Sequence, residues 1–144
     1  MRFDFDVKID RPVHDVFAFV TDVRNLPQWQ QATSEAEWVG DDAPRTGARL
    51  RQKTSFLGRS LELELEVTAY EPERRFDLTT LKGPISFVVR HSFHPSNGGT
   101  RIEFAGEGEA RGVFRLADSL VAKHAERESR ADFERLKAIL ESAD

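Results

Sequence analysis

Arg11-Pro12-Val13-His14-Asp15-Val16-Phe17-Ala18-Phe19-Val20-Thr21-Asp22-Val23-Arg24-Asn25-Leu26-Pro27-Gln28-Trp29 is the stretch that decides how the rest of the chain is read. Val13, Val16, Phe17 and Val20 recur at helical spacing, and Pro12 sits in the first turn, where a missing N–H costs little. Asp10 stands before them as a candidate N-cap. Asn25 and Pro27 break the helix and leave a short second turn from Arg24 to Trp29. Upstream, Phe3, Phe5, Val7 and Ile9 alternate with Arg2, Asp4, Asp6 and Lys8, the period-2 pattern of a half-buried strand. Downstream lie further strand-like segments and one long charged helix. A strand, two small helices, a large antiparallel sheet and a terminal helix, in that order, allow a curved sheet to grip one helix and enclose a cavity.

From Ala32 to Ala110 no helical period appears. The alternation predicts strands at Ser34–Val39, Ala48–Phe56, Arg59–Tyr70, Arg75–Lys82, Ile85–His94 and Thr100–Ala110. Separators such as Leu57-Gly58, Gly83-Pro84 and Asn97-Gly98 are turn chemistry, and connections this short favour sequential antiparallel pairing. If Leu57-Gly58 is a two-residue hairpin turn, Lys53 faces Glu62, Arg51 faces Glu64 and Arg49 faces Glu66. That register turns the charges outward and Leu50, Gln52, Thr54, Phe56, Leu61, Leu63 and Leu65 inward, because a one-residue slip would reverse every side chain. Continued alternation aims Phe76, Leu78 and Thr80 inward, then Phe87, Val89, His91 and Phe93, then Ile102, Phe104, Gly106 and Gly108. The last two glycines are expected to bend the final strand and leave room beneath the helix.

The terminal helix is expected from about Leu116 to Ser142 and offers two stripes. Leu116, Leu120, Val121 and His124 form one; Ala122, Ala125, Ser129, Phe133, Leu136 and Leu140 form the other. Periodicity leaves open which of them faces the sheet.

Composition narrows the function classes. The 144 residues read as a single domain spanning 1–144, a size that buries roughly 68–70% of its unfolded surface. A net charge of −4 argues against a nucleic-acid protein, whose affinity rests on neutralising phosphates. No apolar run approaches a membrane span, and no signal-type segment follows Met1, so a cytoplasmic location is expected. Without cysteine there is no disulfide, no thiolate nucleophile and no Cys-based zinc site.

The order of elements resembles the START-like (SRPBCC) superfamily, and within it the polyketide cyclase/dehydrase and lipid-transport group. The likeness is carried by Arg11-Pro12-Val13 through Pro27-Gln28-Trp29, Tyr70-Glu71-Pro72, Gly83-Pro84, Phe93-His94-Pro95, Gly98-Gly99-Thr100, Ala110-Arg111-Gly112 and Leu136-Lys137-Ala138-Ile139-Leu140-Glu141. It implies an α+β helix-grip fold of the Bet v 1 type. In that fold a seven-stranded antiparallel sheet wraps around a long C-terminal helix, with two short helices after the first strand. It also implies an apolar cavity, and it carries over no catalytic residue because the family shares no catalytic signature.

The expected ligand wall is Leu50, Gln52, Thr54, Leu63, Phe76, Leu78, Phe87, Val89, His91 and Phe104, with Leu120 and His124 from the helix. His91 is either an acid/base or orienting group, or a core histidine satisfied by its neighbours. His124 either joins His91 in the cavity or lies on the surface. Gln52 and Thr54 suit the orientation of a ligand carbonyl, or else satisfy one another. Trp29, Leu26 and Pro27 are candidates for the cavity mouth, and Ala110 to Phe114 for a gate. The four histidines lack HxH, HxxxH or HExxH spacing, so neither metal nor cofactor is expected. The leading expectation is a monomeric or homodimeric carrier for a small hydrophobic molecule: a lipid, a fatty acid or a polyketide-like aromatic. An aromatase/cyclase- or dehydratase-like enzyme is the alternative, and a protein-interaction module the third reading.

Overall fold

A computed structural model describes residues 1–110 and 118–143. Seven strands are present: β1 (Arg2–Ile9), β2 (Thr33–Trp38), β3 (Arg49–Phe56), β4 (Arg59–Glu71), β5 (Arg75–Lys82), β6 (Ile85–Ser96) and β7 (Gly99–Ala110). Helix α1 (Val13–Thr21), a 3₁₀ turn (Val23–Asn25) and α2 (Leu26–Trp29) separate β1 from β2, and α3 (Asp118–Ser142) follows the sheet. The strands form one antiparallel sheet in the order β1-β7-β6-β5-β4-β3-β2. Thus β1 and β2 lie at opposite edges, and the α1–α2 segment carries the chain from one edge to the other. The strand assignments match the sequence expectation to within two residues at each end.

The β3–β4 hairpin has the register that its charges specify: Lys53 opposite Glu62, Arg51 opposite Glu64, Arg49 opposite Glu66. Leu57 (φ 49°) and Gly58 (φ 79°) both occupy the left-handed region, the signature of a type I′ turn whose twist matches the flanking strands. Glu62 is exposed and Leu63 buried, on opposite faces. Lys53 lies 3.8 Å from Glu62 and 3.4 Å from Glu35, whereas Glu64 turns to Lys82 at 3.6 Å. Exposed pairs of this kind contribute at most about 1 kcal/mol, so their value lies in fixing register.

One local expectation is corrected. Asp10 does not cap α1: Pro12 occupies the N-cap position, and the Asp10 N–H donates to Glu141 Oε2 at 2.8 Å. Gly106 and Gly108 mark no bulge, since β7 runs in unbroken register with both β1 and β6. The absent side chains instead admit neighbours. A Cβ on Gly106 would sit 3.3 Å from the Phe3 ring, and one on Gly108 would sit 2.6 Å from the Ser86 carbonyl oxygen. Thr80 is half-buried, and its Oγ1 accepts the Phe87 N–H just beyond the end of the β5–β6 ladder.

Along α3 the second stripe faces the sheet. Phe133, Leu136 and Leu140 are buried, together with Val121 from the first stripe, whereas Leu120 is 57% exposed. The C-terminal half of the helix is tied to the start of the chain by polar bonds. Arg11 Nη1 donates to the Leu140 and Ala143 carbonyls (2.8 and 3.1 Å), and Lys137 Nζ donates to the Lys8 carbonyl (2.6 Å). Leu116, the expected first residue of the helix, lies outside the described residues, as do Arg111 to Phe114 of the expected gate.

The two glycines of β7 differ in what they tolerate. Gly108→Ala pushes a methyl into backbone and is expected to cost about 1–3 kcal/mol. At Gly106→Ala only a ring tip must yield, and the cost is expected to stay below about 1 kcal/mol. Urea denaturation with an unchanged m-value checks the ranking, which equal losses would contradict.

Candidate functional site

Between the concave face of the sheet and α3 lies a cavity of about 200 Å³. Its wall follows from strand alternation, which sends every second side chain to the concave face. β3 supplies Leu50, Gln52 and Thr54, β4 supplies Leu63, and β5 supplies Phe76 and Leu78. Phe87, Val89 and His91 come from β6 and Phe104 from β7. Ten of the twelve sequence candidates therefore share one cavity. Leu120 and His124 do not line it. Leu120 points to solvent, and His124 sits edge-on against Phe56 (4.9 Å between rings) with Nε2 2.8 Å from Glu128. Of the two alternatives for His124, the one that pairs it with His91 in the cavity is not the one found.

Residues beyond the expected ligand wall line the cavity from three sides. Met1 and Phe3 line it from the N-terminal edge, while Leu26, Trp29 and Gln30 line it from the α2 end. Ala125, Glu128, Ser129, Asp132 and Phe133 line it from α3. Trp29 is buried in the wall, which makes it more than a mouth residue; Pro27 does not line the cavity. An acid one position from Phe133, on the stripe running through Ser129 and Leu136, was the available signal for Asp132.

Phe133 organises this wall. Its ring lies 5.0 Å from Phe104, 5.2 Å from Trp29, 5.5 Å from Phe5 and 5.8 Å from His91, in tilted or edge-on geometries that suit aromatic quadrupoles. Two residues on, Arg135 Nη1 donates to the Trp29 carbonyl (2.9 Å) and to Asp132 Oδ1 (3.1 Å). Asp132 Oδ1 also accepts the Gln31 N–H (3.2 Å), so α3 is clamped to the α2–β2 connection.

The polar groups are fewer and mostly committed. Gln52 Nε2 donates to Gln30 Oε1 (3.0 Å) and Thr33 Oγ1 (2.7 Å), while Thr33 Oγ1 donates to Gln30 Oε1 (2.8 Å). Both Gln52 amide hydrogens are thereby used, and none is left for a ligand carbonyl. His91 is only 4% exposed, and its Nδ1–H donates to the carbonyl of Phe76, its cross-strand partner, at 2.8 Å. That bond fixes the tautomer and leaves Nε2 as a lone-pair acceptor without a partner among the described residues. Burial pushes the His91 pKa down to about 4, against the opposing pull of the Phe76 carbonyl, so the ring is neutral. Burial pushes Asp132 up to about 6, helped by nearby Glu128 and resisted by the Gln31 N–H and Arg135. Among the described residues no cluster of three or more His, Asp or Glu side chains is placed to hold a metal ion.

The sequence matches the family model described as polyketide cyclase / dehydrase and lipid transport over residues 1–141. The chain belongs to this family. Its fold is shared with solved structures at low identity. The Zhui aromatase/cyclase of Streptomyces sp. R1128 superimposes with a TM-score of 0.85 at 14% identity, covering 98% of this chain and 93% of that one. TTHA0849 of Thermus thermophilus gives 0.82 at 18% identity, with 96% and 95% covered. Ara h 8.0201 gives 0.77 at 16% identity, with 99% of both chains covered. Among curated proteins none matches by sequence. At these identities the family likeness establishes the scaffold, and the lining described above is this chain's own. No helix among the described residues is long and apolar enough to cross a membrane.

The two shifted groups affect stability in opposite senses. His91 is depressed from 6.5, so the unfolded chain binds more protons between about 6.5 and 4, and its contribution is lost as pH falls through that window. Asp132 is raised from 3.8, so the folded chain binds more protons between about 4 and 6, and its contribution is lost as pH rises. Relative to wild type, His91→Phe should gain stability on acidification and Asp132→Asn on moving to neutral pH. Each gain is expected on the order of 1–2 kcal/mol once partial solvation is allowed for. Urea midpoints across this range test the pair, and parallel pH profiles for all three proteins would contradict it.

Proposed function

We propose that the chain binds a small, compact apolar molecule between the sheet and α3. The observation that carries this reading is the cavity itself, partly open to solvent and lined by Phe3, Trp29, Phe76, Phe87, Phe104 and Phe133 and by Leu and Val side chains. A core at native density leaves few voids larger than a water, so a space of about 200 Å³ has a cost in lost packing unless something fills it. An apolar cavity of about 150 Å³ is enough to hold benzene, so this one suits a molecule of one or two rings. The aromatic wall and the small volume favour a flat, polyketide-like aromatic over an extended acyl chain. Membership of a family that includes lipid transport, and the fold shared with an aromatase/cyclase, are in keeping with that choice.

Binding is favoured over catalysis by the state of the polar groups. Gln52 is consumed by Gln30 and Thr33, His124 is outside the cavity, and neutral His91 with a pKa near 4 is a weak base. The role proposed is therefore capture or carriage of the molecule.

Naphthalene is a matched probe, followed by amide chemical-shift changes on titration. Saturable shifts are expected at residues of β5, β6 and the middle of α3, with a dissociation constant in the micromolar to sub-millimolar range. Val89→Phe extends a lining side chain into the empty space. It should weaken naphthalene at least about tenfold while leaving the protein folded. Unsaturable shifts, or equal affinity in the filled variant, would remove the basis for this function.

A further inference from the structure

Among the described residues, no Lys or Arg lines this cavity, whereas the carboxylates of Glu107, Glu128 and Asp132 do, the last two one helical turn apart. The uncharged polar groups of the lining are His91 Nε2, without a hydrogen-bond partner among the described residues, the Gln52 amide oxygen left over once both amide hydrogens are donated, and the hydroxyls of Thr54, Ser55 and Ser129. An anionic ligand end would therefore enter a low-dielectric space without a counter-charge and beside carboxylates, which costs several kcal/mol. A neutral donor end would satisfy the acceptor that Nε2 leaves unpartnered.

Resting on the binding function proposed above, we infer that the cavity selects an apolar molecule whose buried polar end is a neutral hydroxyl, received by Nε2 of His91, and that it turns away carboxylates. A hydroxyl is preferred to an ammonium because the fully buried acceptor, His91, is uncharged. The charged acceptor, Asp132, already has Oδ1 engaged by Arg135 and the Gln31 N–H. Two faces of one imidazole thus serve two ends: Nδ1 holds the β5–β6 pair together, and Nε2 reads the ligand. The fatty acids expected among the ligands are excluded by this lining, and phenols and apolar alcohols remain.

Three probes with one apolar body separate the possibilities: naphthalene, 2-naphthol and 2-naphthoate, titrated calorimetrically at neutral pH, where the acid is ionised and the naphthol is not. The expected order places naphthol first, about tenfold tighter than naphthoate and several-fold tighter than naphthalene. His91→Phe keeps the ring and removes the acceptor, so naphthol should fall to the affinity of naphthalene. The nitrogen-15 resonance of His91 Nε2 supplies a readout in the wild-type protein. It should move on adding naphthol and stay in place with naphthalene. Naphthoate binding as tightly as naphthol, or an Nε2 resonance indifferent to naphthol, overturns the selectivity while leaving the apolar binding function standing. Failure of naphthalene itself to bind overturns both.

Discussion

The structure depends on one aromatic contact, the insertion of Phe133 from α3 among Trp29, Phe5, Phe104 and His91. A curved sheet does not by itself hold a helix at a defined distance, since apolar surfaces attract without direction. A large ring seated among four others has few alternative positions, and removing such a ring typically costs about 3–5 kcal/mol. Around it the polar bonds fix orientation: Asp132 and Arg135 to residues 29–31 on one side, Arg11 and Lys137 to the helix end and β1 on the other. These ties gather on the C-terminal half of α3, Val121 and His124 pack its N-terminal half, and the cavity lies under the middle of the helix, at residues 125–133.

The same burial that makes the cavity apolar sets its electrostatics. Desolvation disfavours whichever form is charged, so it drives His91 towards neutrality by lowering its pKa and Asp132 towards neutrality by raising its own. The outcome differs at neutral pH. His91 is fully neutral, while Asp132 retains charge because Arg135 and the Gln31 N–H compensate part of its loss of water. The cavity therefore combines one neutral acceptor deep in the sheet with negative charge along the helix. That arrangement follows from the placement of two side chains and needs no special chemistry.

How much of this was legible in the sequence depended on whether the signal was periodic. The inward set from Leu50 to Phe104 could be read because strand alternation has a period of two and the β3–β4 charges pin its phase. The face of α3 could not, because apolar residues cover a broad arc of its first half. Only packing shows that Leu120 and His124 lie off the cavity while Phe133 and Asp132 lie on it. Contacts such as Arg135 to the Trp29 carbonyl join positions about a hundred residues apart and leave no local pattern. The glycines of β7 are a related case. A glycine in a strand signals close approach by something, and only the structure identifies it as Phe3 and the Ser86 carbonyl.

A fold retained at 14% identity with a TM-score of 0.85 is specified by pattern more than by particular residues. Alternation, turns and a few glycines meet the demands of the sheet, and many apolar side chains satisfy each inward position. Polar inward residues are different, because each must be satisfied by the scaffold or left for something else. Gln52 is satisfied by its neighbours, so replacing it disturbs the Gln30–Thr33 network before it reaches any ligand. His91 is satisfied at only one nitrogen. An apolar ring would pack equally well among Phe76, Phe93, Phe104 and Phe133 but would leave the Phe76 carbonyl without the Nδ1–H. The imidazole meets that structural need with one nitrogen, and its second nitrogen has no hydrogen-bond partner among the described residues. The lining is therefore best understood from Nε2 outward, as an acceptor waiting on a donor that the protein itself does not supply.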